Sequence, residues 1–327
     1  MSSLSSAVDR APSPWTAREL ARRLRDGDVI AHTVALIFAA SIILITSLLV
    51  YQLWIHSVAS RRAFGWHFWA TSVWDPVFDH FGALPFIYGT VITSAVSLAL
   101  ALPLGVAAAI FLSELAPRSV SDSISFLIDL LAAVPSVIYG LLGIFIVVPL
   151  MRSVIGPALK GTLGFLPLFQ GPNYGLGFLT AGIVLAIMIV PYIISVSREV
   201  LLTVPREQRE AALGLGATRW EATWQVVVPW ARAGIMGSVF LALARALGET
   251  MAVTMVIGND PKISASLFAP GYTIAAVIAN EFTEATGTLY LSALIELGLV
   301  LFLMTFILNG LARLMILATG RSGGRPA

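Results

Sequence analysis

Apolar residues run along this chain in long blocks, with little of the strict alternation or the one-sided helical stripe of a water-soluble fold. A helix that crosses a bilayer needs about 20 apolar residues, at about 1.5 Å rise each, to span a core of about 30 Å. Six segments meet that length: Ile30–Trp54, Leu84–Leu112, Ile124–Leu150, Leu176–Ser195, Ala233–Gly258 and Leu289–Leu317. Gly or Pro interrupts all but the first of them, which neighbouring helices tolerate inside a membrane. Pro135 and Pro191 are expected to kink the third and fourth spans. The first apolar run is longer than the roughly 7–15 residues of a signal-peptide core, and polar residues 1–29 precede it, so it reads as a retained span. Within that N-terminal tail, Ser13–Arg25 can form an amphipathic helix on an anionic leaflet, through Arg18, Arg22, Arg23 and Arg25. A partly ordered basic tail is the alternative.

Basic residues set the orientation. With both termini inside, five arginines precede the first span, one follows the second, five lie between the fourth and fifth, and three close the chain. Arg61, Arg62, Arg152, Lys160 and Lys262 fall outside, an asymmetry that matches the positive-inside rule. The expected organisation is an inner tail over 1–29, a membrane domain over 30–318 with an inner loop at 204–229, and an inner tail over 319–327. The first outer connection carries Trp66, Phe68, Trp69 and Trp74, as expected of chain lying among lipid headgroups.

Composition narrows the function classes. Of 327 residues, 57% are hydrophobic and 12% charged, against about 45–50% and about 25% in soluble domains. Mean hydropathy is +0.88. That excludes a soluble enzyme, a disordered chain and a nucleic-acid binder, and the net charge of +2 offers a polyanion little. There is no cysteine, hence no disulfide framework or thiolate metal site. Neither lysine follows a glycine, so no Walker motif exists and the chain binds no ATP that way. His32, His56, His67 and His80 are scattered, and no metal site is expected. Gly320-Arg321-Ser322-Gly323-Gly324 matches a nucleophile-elbow pattern but lacks the strand–turn–helix context, and reads as chance.

The inner loop carries the most specific pattern. Pro205 favours a helix start and acidic residues suit its first turn. Gly214 or Gly216 can end that helix in the left-handed conformation, and a second short helix is expected over Arg219–Val227, stopped by Pro229. An ordinary amphipathic loop is the alternative. Glu210, Ala211, Ala212, Gly216, Val226, Val228 and Pro229 nevertheless stand at the spacing of a known signature. The stretch resembles the Glu-Ala-Ala motif of ABC-importer permease subunits, with valines where that family often has Ile and Leu. The resemblance implies an all-α, type I-like permease fold of six transmembrane helices. It also implies that Glu210, Ala211, Ala212, Gly214, Gly216 and Pro229 dock on a separate ATPase, where ATP and magnesium would bind, so that this chain is non-catalytic and binds no cofactor.

Arg245 is the thirteenth residue of the fifth apolar run, roughly 18 Å in. A charge at that depth costs about 2.5–3.5 kcal/mol on insertion scales, so it should face protein or a watery cavity. Glu249 lies four residues on, where a helix would put it on the same face. Two readings stay open. The pair is a structural salt bridge, or Arg245 lines an anion path with the planar fork of donors that oxyanions match. In the second reading Glu249 holds Arg245 or accepts a proton, with the hydroxyls of Thr250 and Thr254 nearby. Glu296 is a weaker candidate for a path carboxylate, and Asp129 is expected to pair locally. The stretch Ala244–Asn259 is similar to phosphate-specific importers, in particular their PstC-type permease subunits, as are Trp74-Asp75-Pro76, Tyr88-Gly89-Thr90 and Val134–Gly140. This implies a bacterial inner-membrane permease with four kinds of contact: a second permease subunit in a heterodimer, two ATPase subunits, an extracytoplasmic phosphate-binding protein and the lipid bilayer. A sulfate or molybdate permease, or a membrane sensor that binds the ATPase without transporting, are the competing expectations.

Overall fold

The computed structural model describes residues 28–320; the helix expected over Ser13–Arg25 and the tail beyond Gly320 lie outside them. The chain divides into two units, one ending at Ile55 and one beginning at His56. The first contributes helix α1 (Asp28–His56). Its apolar residues occupy every side, the pattern of a helix surrounded by lipid or protein rather than by water.

The second unit contains the remaining spans. Helix α2 (Val58–Phe64) is short; α3 (Leu84–Ile110) continues through a π-helical turn, Phe111–Leu115. The buried face of α3 carries Gly89, Thr93, Ser97, Ala101, Gly105 and Ala109, one small residue every turn. Where lipid tails are as apolar as leucine, such a stripe lets helices approach closely and gain dispersion contacts. Thr90, Thr93 and Ser97 satisfy their hydroxyls on carbonyls three or four residues back. Helix α6, Phe178–Leu202, packs along this stripe and is the most buried span. The fit is reciprocal. A Cβ at Gly182 would stand 2.4 Å from Val96 Cγ1, and one at Gly105 would stand 2.7 Å from Ile193 Cγ2.

The third span departs from the sequence reading. Ile124–Leu150 is not one helix, and Pro135 breaks it rather than kinking it. Helix α4 (Arg118–Ala132) ends before Val134-Pro135, and α5 (Ser136–Leu142) starts after it. Proline disfavours helical geometry in the residue before it and suits a helix start. The crossing segment runs from Ser136 to Leu163, through π-helical turns at Gly143–Val147 and Met151–Ile155. It thus reaches Arg152 and Lys160, whose side chains donate to the carbonyls of Tyr174 and Gly171. Helix α4 is amphipathic. Its polar side meets α6, where Ser195 Oγ donates to Asp129 Oδ1 at 2.8 Å and Arg198 lies 3.6 Å from Asp122. Asp129, expected to pair locally, is thus held by a hydroxyl 66 residues away on another helix. Phe126, Leu127 and Leu130 on the other side are exposed.

The fifth apolar run divides as well. Helix α7 (Arg206–Gly214), α8 (Arg219–Ala222), a π-helical turn at Thr223–Val227 and α9 (Val228–Leu247) lead to a break, followed by α10 (Met251–Ile257). Helices α11 (Ile274–Glu281) and α12 (Thr288–Gly320) complete the unit.

Three apolar clusters hold it together. The middle one joins α3, α5, α6, α9 and α10, the inner one the ends of α3 and α6 with the start of α9, and the third the segments around α11 and α12. Not all outer aromatics lie flat at the surface. Trp66 is 86% exposed, but Phe68 is fully buried and Trp74 packs edge-on against Phe81 and Phe86. The indole N–H of Trp74 and the hydroxyl of Tyr290 both donate to Glu281 Oε2, at 2.9 and 2.7 Å. Alongside, burial pushes the Tyr272 hydroxyl up to about 12, so it stays neutral while accepting from Asn280.

Candidate functional site

The inner loop is a folded knuckle. Helix α7 begins after Pro205, with Glu207 in its first turn. It ends in a paired-bond cap: Gly216 N–H reaches Leu213 O at 3.0 Å and Ala217 N–H reaches Ala212 O at 3.1 Å. That geometry needs a left-handed residue at its corner, and Gly216 supplies it at φ +92°. Gly214 is the last helical residue. Thr218 then opens α8 with a capping box: its hydroxyl accepts from Glu221 N–H while the Glu221 carboxylate accepts from Thr218 N–H at 2.8 Å.

Pro229 does not stop the second helix. The backbone passes through the π-helical turn Thr223–Val227 and continues as α9. A π-helical turn changes the hydrogen-bond partners locally, so proline's missing N–H and its ring are accommodated near the start of the next α-segment. Ala211, Ala212, Leu215, Gly216, Glu221 and Gln225 line one open groove. Glu210, Ala211 and Gly216 are exposed, Ala212 is buried, and Leu215 is 91% exposed. Trp220 and Trp224 stand beside it edge to face, both exposed. Leu215, Trp220 and Trp224 thus expose apolar surface on a polar knuckle.

Arg209 has a role that sequence reasoning missed. Its guanidinium forks onto Glu114, with Nη2–Oε1 at 2.8 Å and Nε–Oε2 at 3.2 Å. It also donates to Val204 O and Leu201 O, at 2.7 and 2.8 Å. Glu114 lies 95 residues away in sequence, on the turn that ends the second span, and no local pattern links the two.

The membrane constellation is arranged differently from the sequence reading. Arg245 sits in the last turn of α9 and is exposed on this chain. The helix ends at Leu247, so Glu249 does not continue its face. Glu249 Oε1 instead accepts from Ala252 N–H at 3.1 Å and caps α10. Among the described residues no ion pair joins Arg245 to Glu249. The expected i, i+4 geometry fails because the helix ends at Leu247 and the chain turns at Gly248 within a continuous apolar run. Thr250 Oγ1 donates to Gly248 O at 3.3 Å, and Thr254 Oγ1 to Thr250 O at 2.7 Å. Both hydroxyls keep acceptor lone pairs.

The break is supported from α5. A Cβ at Gly140 would stand 2.5 Å from Met255 Sδ and 3.2 Å from Ala252 Cα, so only glycine lets α10 lie this close. Tyr139 beside it is within electrostatic reach of Arg245, and its hydroxyl donates across the Pro135 break to Leu131 O at 2.7 Å. Glu296 is buried at 2% exposure, with Ser60 and Arg61 as its neighbours. Among the described residues no group of metal-ligating side chains occurs. The knuckle and the Arg245 group thus occupy opposite ends of α9, with Pro229 and Arg245 about 24 Å apart along the helix.

The sequence profile described as "Binding-protein-dependent transport system inner membrane component" matches residues 101–317. A Mesorhizobium japonicum protein named phosphate transport system permease protein PstC is 46% identical over 318 residues, covering 95% of this chain and 97% of that one. A Xylella fastidiosa protein of the same name is 50% identical over 264 residues, covering 80% and 81%. Among solved structures, a bacterial alginate ABC transporter in complex with an alginate pentasaccharide-bound periplasmic protein superimposes with a TM-score of 0.56. It covers 91% of this chain and 96% of the other at 15% identity, a likeness of fold.

Proposed function

This chain belongs to the family of binding-protein-dependent transport system inner membrane components, and on that premise we propose that it is a permease subunit of an ATP-driven importer of inorganic phosphate. The observation that carries the substrate is identity of 46% along nearly the whole length of a protein named for phosphate transport. The inner-membrane location and the six crossing helices follow from the family and from the fold. Both termini lie on the cytoplasmic side, in keeping with the arginine distribution.

In this reading the chain pairs with a second, different permease subunit, and the two share the path. Two ATPase subunits bind below, and a phosphate-binding protein docks from outside. ATP and magnesium bind on the ATPases; the residues of this chain contribute docking, transmission and selectivity. The groove of Ala211, Ala212 and Gly216 receives the ATPase, with exposed Leu215 and the tryptophans as apolar anchors. Glu210 and Gly214 belong to the same face, and Pro229 opens the helix that leaves it.

At the other end of α9, Arg245 meets the anion. Its exposure on this chain and its lack of a carboxylate partner leave its donor fork open to phosphate oxygens. Glu249 fixes the break by capping α10. Its second oxygen can accept a proton from hydrogenphosphate, which sulfate lacks at neutral pH. Thr250 and Thr254 offer lone pairs toward such a proton. Movement of the ATPases is transmitted through the knuckle along α9 and alternates access at Arg245.

The test is ATP-dependent uptake of labelled phosphate in proteoliposomes that contain this chain with its partner permease, ATPase and binding protein. Uptake that requires ATP and is indifferent to excess sulfate is expected. Assembly with uptake of sulfate or molybdate in place of phosphate would replace the substrate, and assembly without any uptake would favour a sensor.

A further inference from the structure

We propose that Arg209 is the rigid link through which the docking knuckle moves the second and fourth spans as one body. This rests on the importer reading above, and deepens it by naming how force leaves the ATPase surface. One guanidinium makes four hydrogen bonds and ties together three elements, its own and two others. It belongs to α7, forks onto Glu114 on the last turn of the second span, and binds two carbonyls at the end of the fourth.

Those carbonyls lie where α6 ends: Leu202 is its last residue, Pro205 has no N–H to close the i+4 bond to Leu201 O, and that oxygen, which also takes Val204 N–H at 3.3 Å, keeps a lone pair for Arg209. The link is sheltered. The Glu114 side chain is 9% exposed and that of Arg209 22%, so water competes weakly for either charge. A lone ion pair at a surface would hinge. Two parallel bonds to a carboxylate, crossed by two to carbonyls, fix the orientation of the side chain as well as its distance.

The docking residues need this support, because the knuckle has little else. Ala212 is the only buried residue of α7. The exposed residues of the groove face the motor, and Arg209 faces the bundle. α3 and α6 interlock at Gly105 and Gly182, so a displacement imposed at Arg209 is carried into the pair, and through them into the middle cluster around α10.

The experiment uses the assembled complex with Arg209→Ala, Arg209→Lys and Glu114→Gln. Lysine keeps the charge but has no planar fork, and glutamine keeps an acceptor but not the charge. Phosphate uptake and ATP hydrolysis are measured together. The expected result is continued hydrolysis with ATP consumed per phosphate rising roughly tenfold in Arg209→Ala, within the range of coupling energies between sites, and less in the other two. If hydrolysis and uptake fall in proportion, or the ratio stays at the wild-type value, the link is refuted.

A second readout does not depend on the solute. The chain has no cysteine, so spin labels at Glu207→Cys and Phe111→Cys report the distance between α7 and the end of α3. That distance should hold fixed through ATP turnover in the otherwise wild-type protein and spread in Arg209→Ala and Glu114→Gln. A distribution equally narrow in all three overturns the proposal even if the complex carries a different anion.

Discussion

At the scale of single residues, Arg245 carries the sharpest prediction. Replacing it with alanine should leave the complex assembled and abolish phosphate uptake, because no other basic side chain lies within the last turn of α9. Co-purification of the subunits and uptake of labelled phosphate check the two halves of that statement. Normal uptake would remove Arg245 from the path. Lysine at 245 should retain a small fraction of uptake, since it keeps charge without the fork. Gly105→Leu tests a different property. Its side chain would collide with Ile193, an overpacking that costs about 1–3 kcal/mol. A lowered melting temperature of the detergent-solubilised protein is expected. Arg245 was visible in the sequence because a charge in an apolar run is conspicuous. Arg209 was not, because its partner is distant and the loop around it is already rich in charge.

Elements were legible where one physical rule dominated. A run of about 20 apolar residues marks a span whatever its neighbours do, and four of the six spans match closely in position. The other two failed where two rules met. The apolar side of α4 continues into the third span without a gap in hydrophobicity, so length alone merged them. The signal that separates them is the set Ser121, Asp122, Ser125 and Asp129, which lies along one side of a helix. In the fifth run the break at Gly248 is hidden among apolar residues, and the pairing of Arg245 with Glu249 was inferred from a continuity that is absent. The helix–glycine–helix knuckle is legible because its first helix is bounded locally by Pro205 and Gly216, whereas the stop expected at Pro229 does not occur. It follows that Glu210→Lys or Gly216→Asp should release the ATPase. The first reverses charge on the exposed face, and the second places a side chain at φ +92°, a conformation only glycine adopts freely. Undiminished co-purification and phosphate-stimulated hydrolysis in both variants would refute the docking role.

At the scale of the whole molecule, sidedness is open to direct measurement. With no native cysteine, single variants Glu207→Cys and Lys262→Cys can be probed in intact cells with a membrane-impermeant maleimide. Labelling is expected at 262 and not at 207. The knuckle and Arg245 are joined by α9, and the turn at Thr223–Val227 sets their relative bearing. That turn acts as a phase adjuster in a transmission shaft. Successive residues of a helix differ by about 100° in direction but by only about 1.5 Å in height. Removing one residue from the turn would therefore barely shorten the shaft, yet would swing Arg245 to face about a quarter-turn away. Such a deletion should leave the motor attached and turning while the anion finds no guanidinium in its way, a failure of timing rather than of strength.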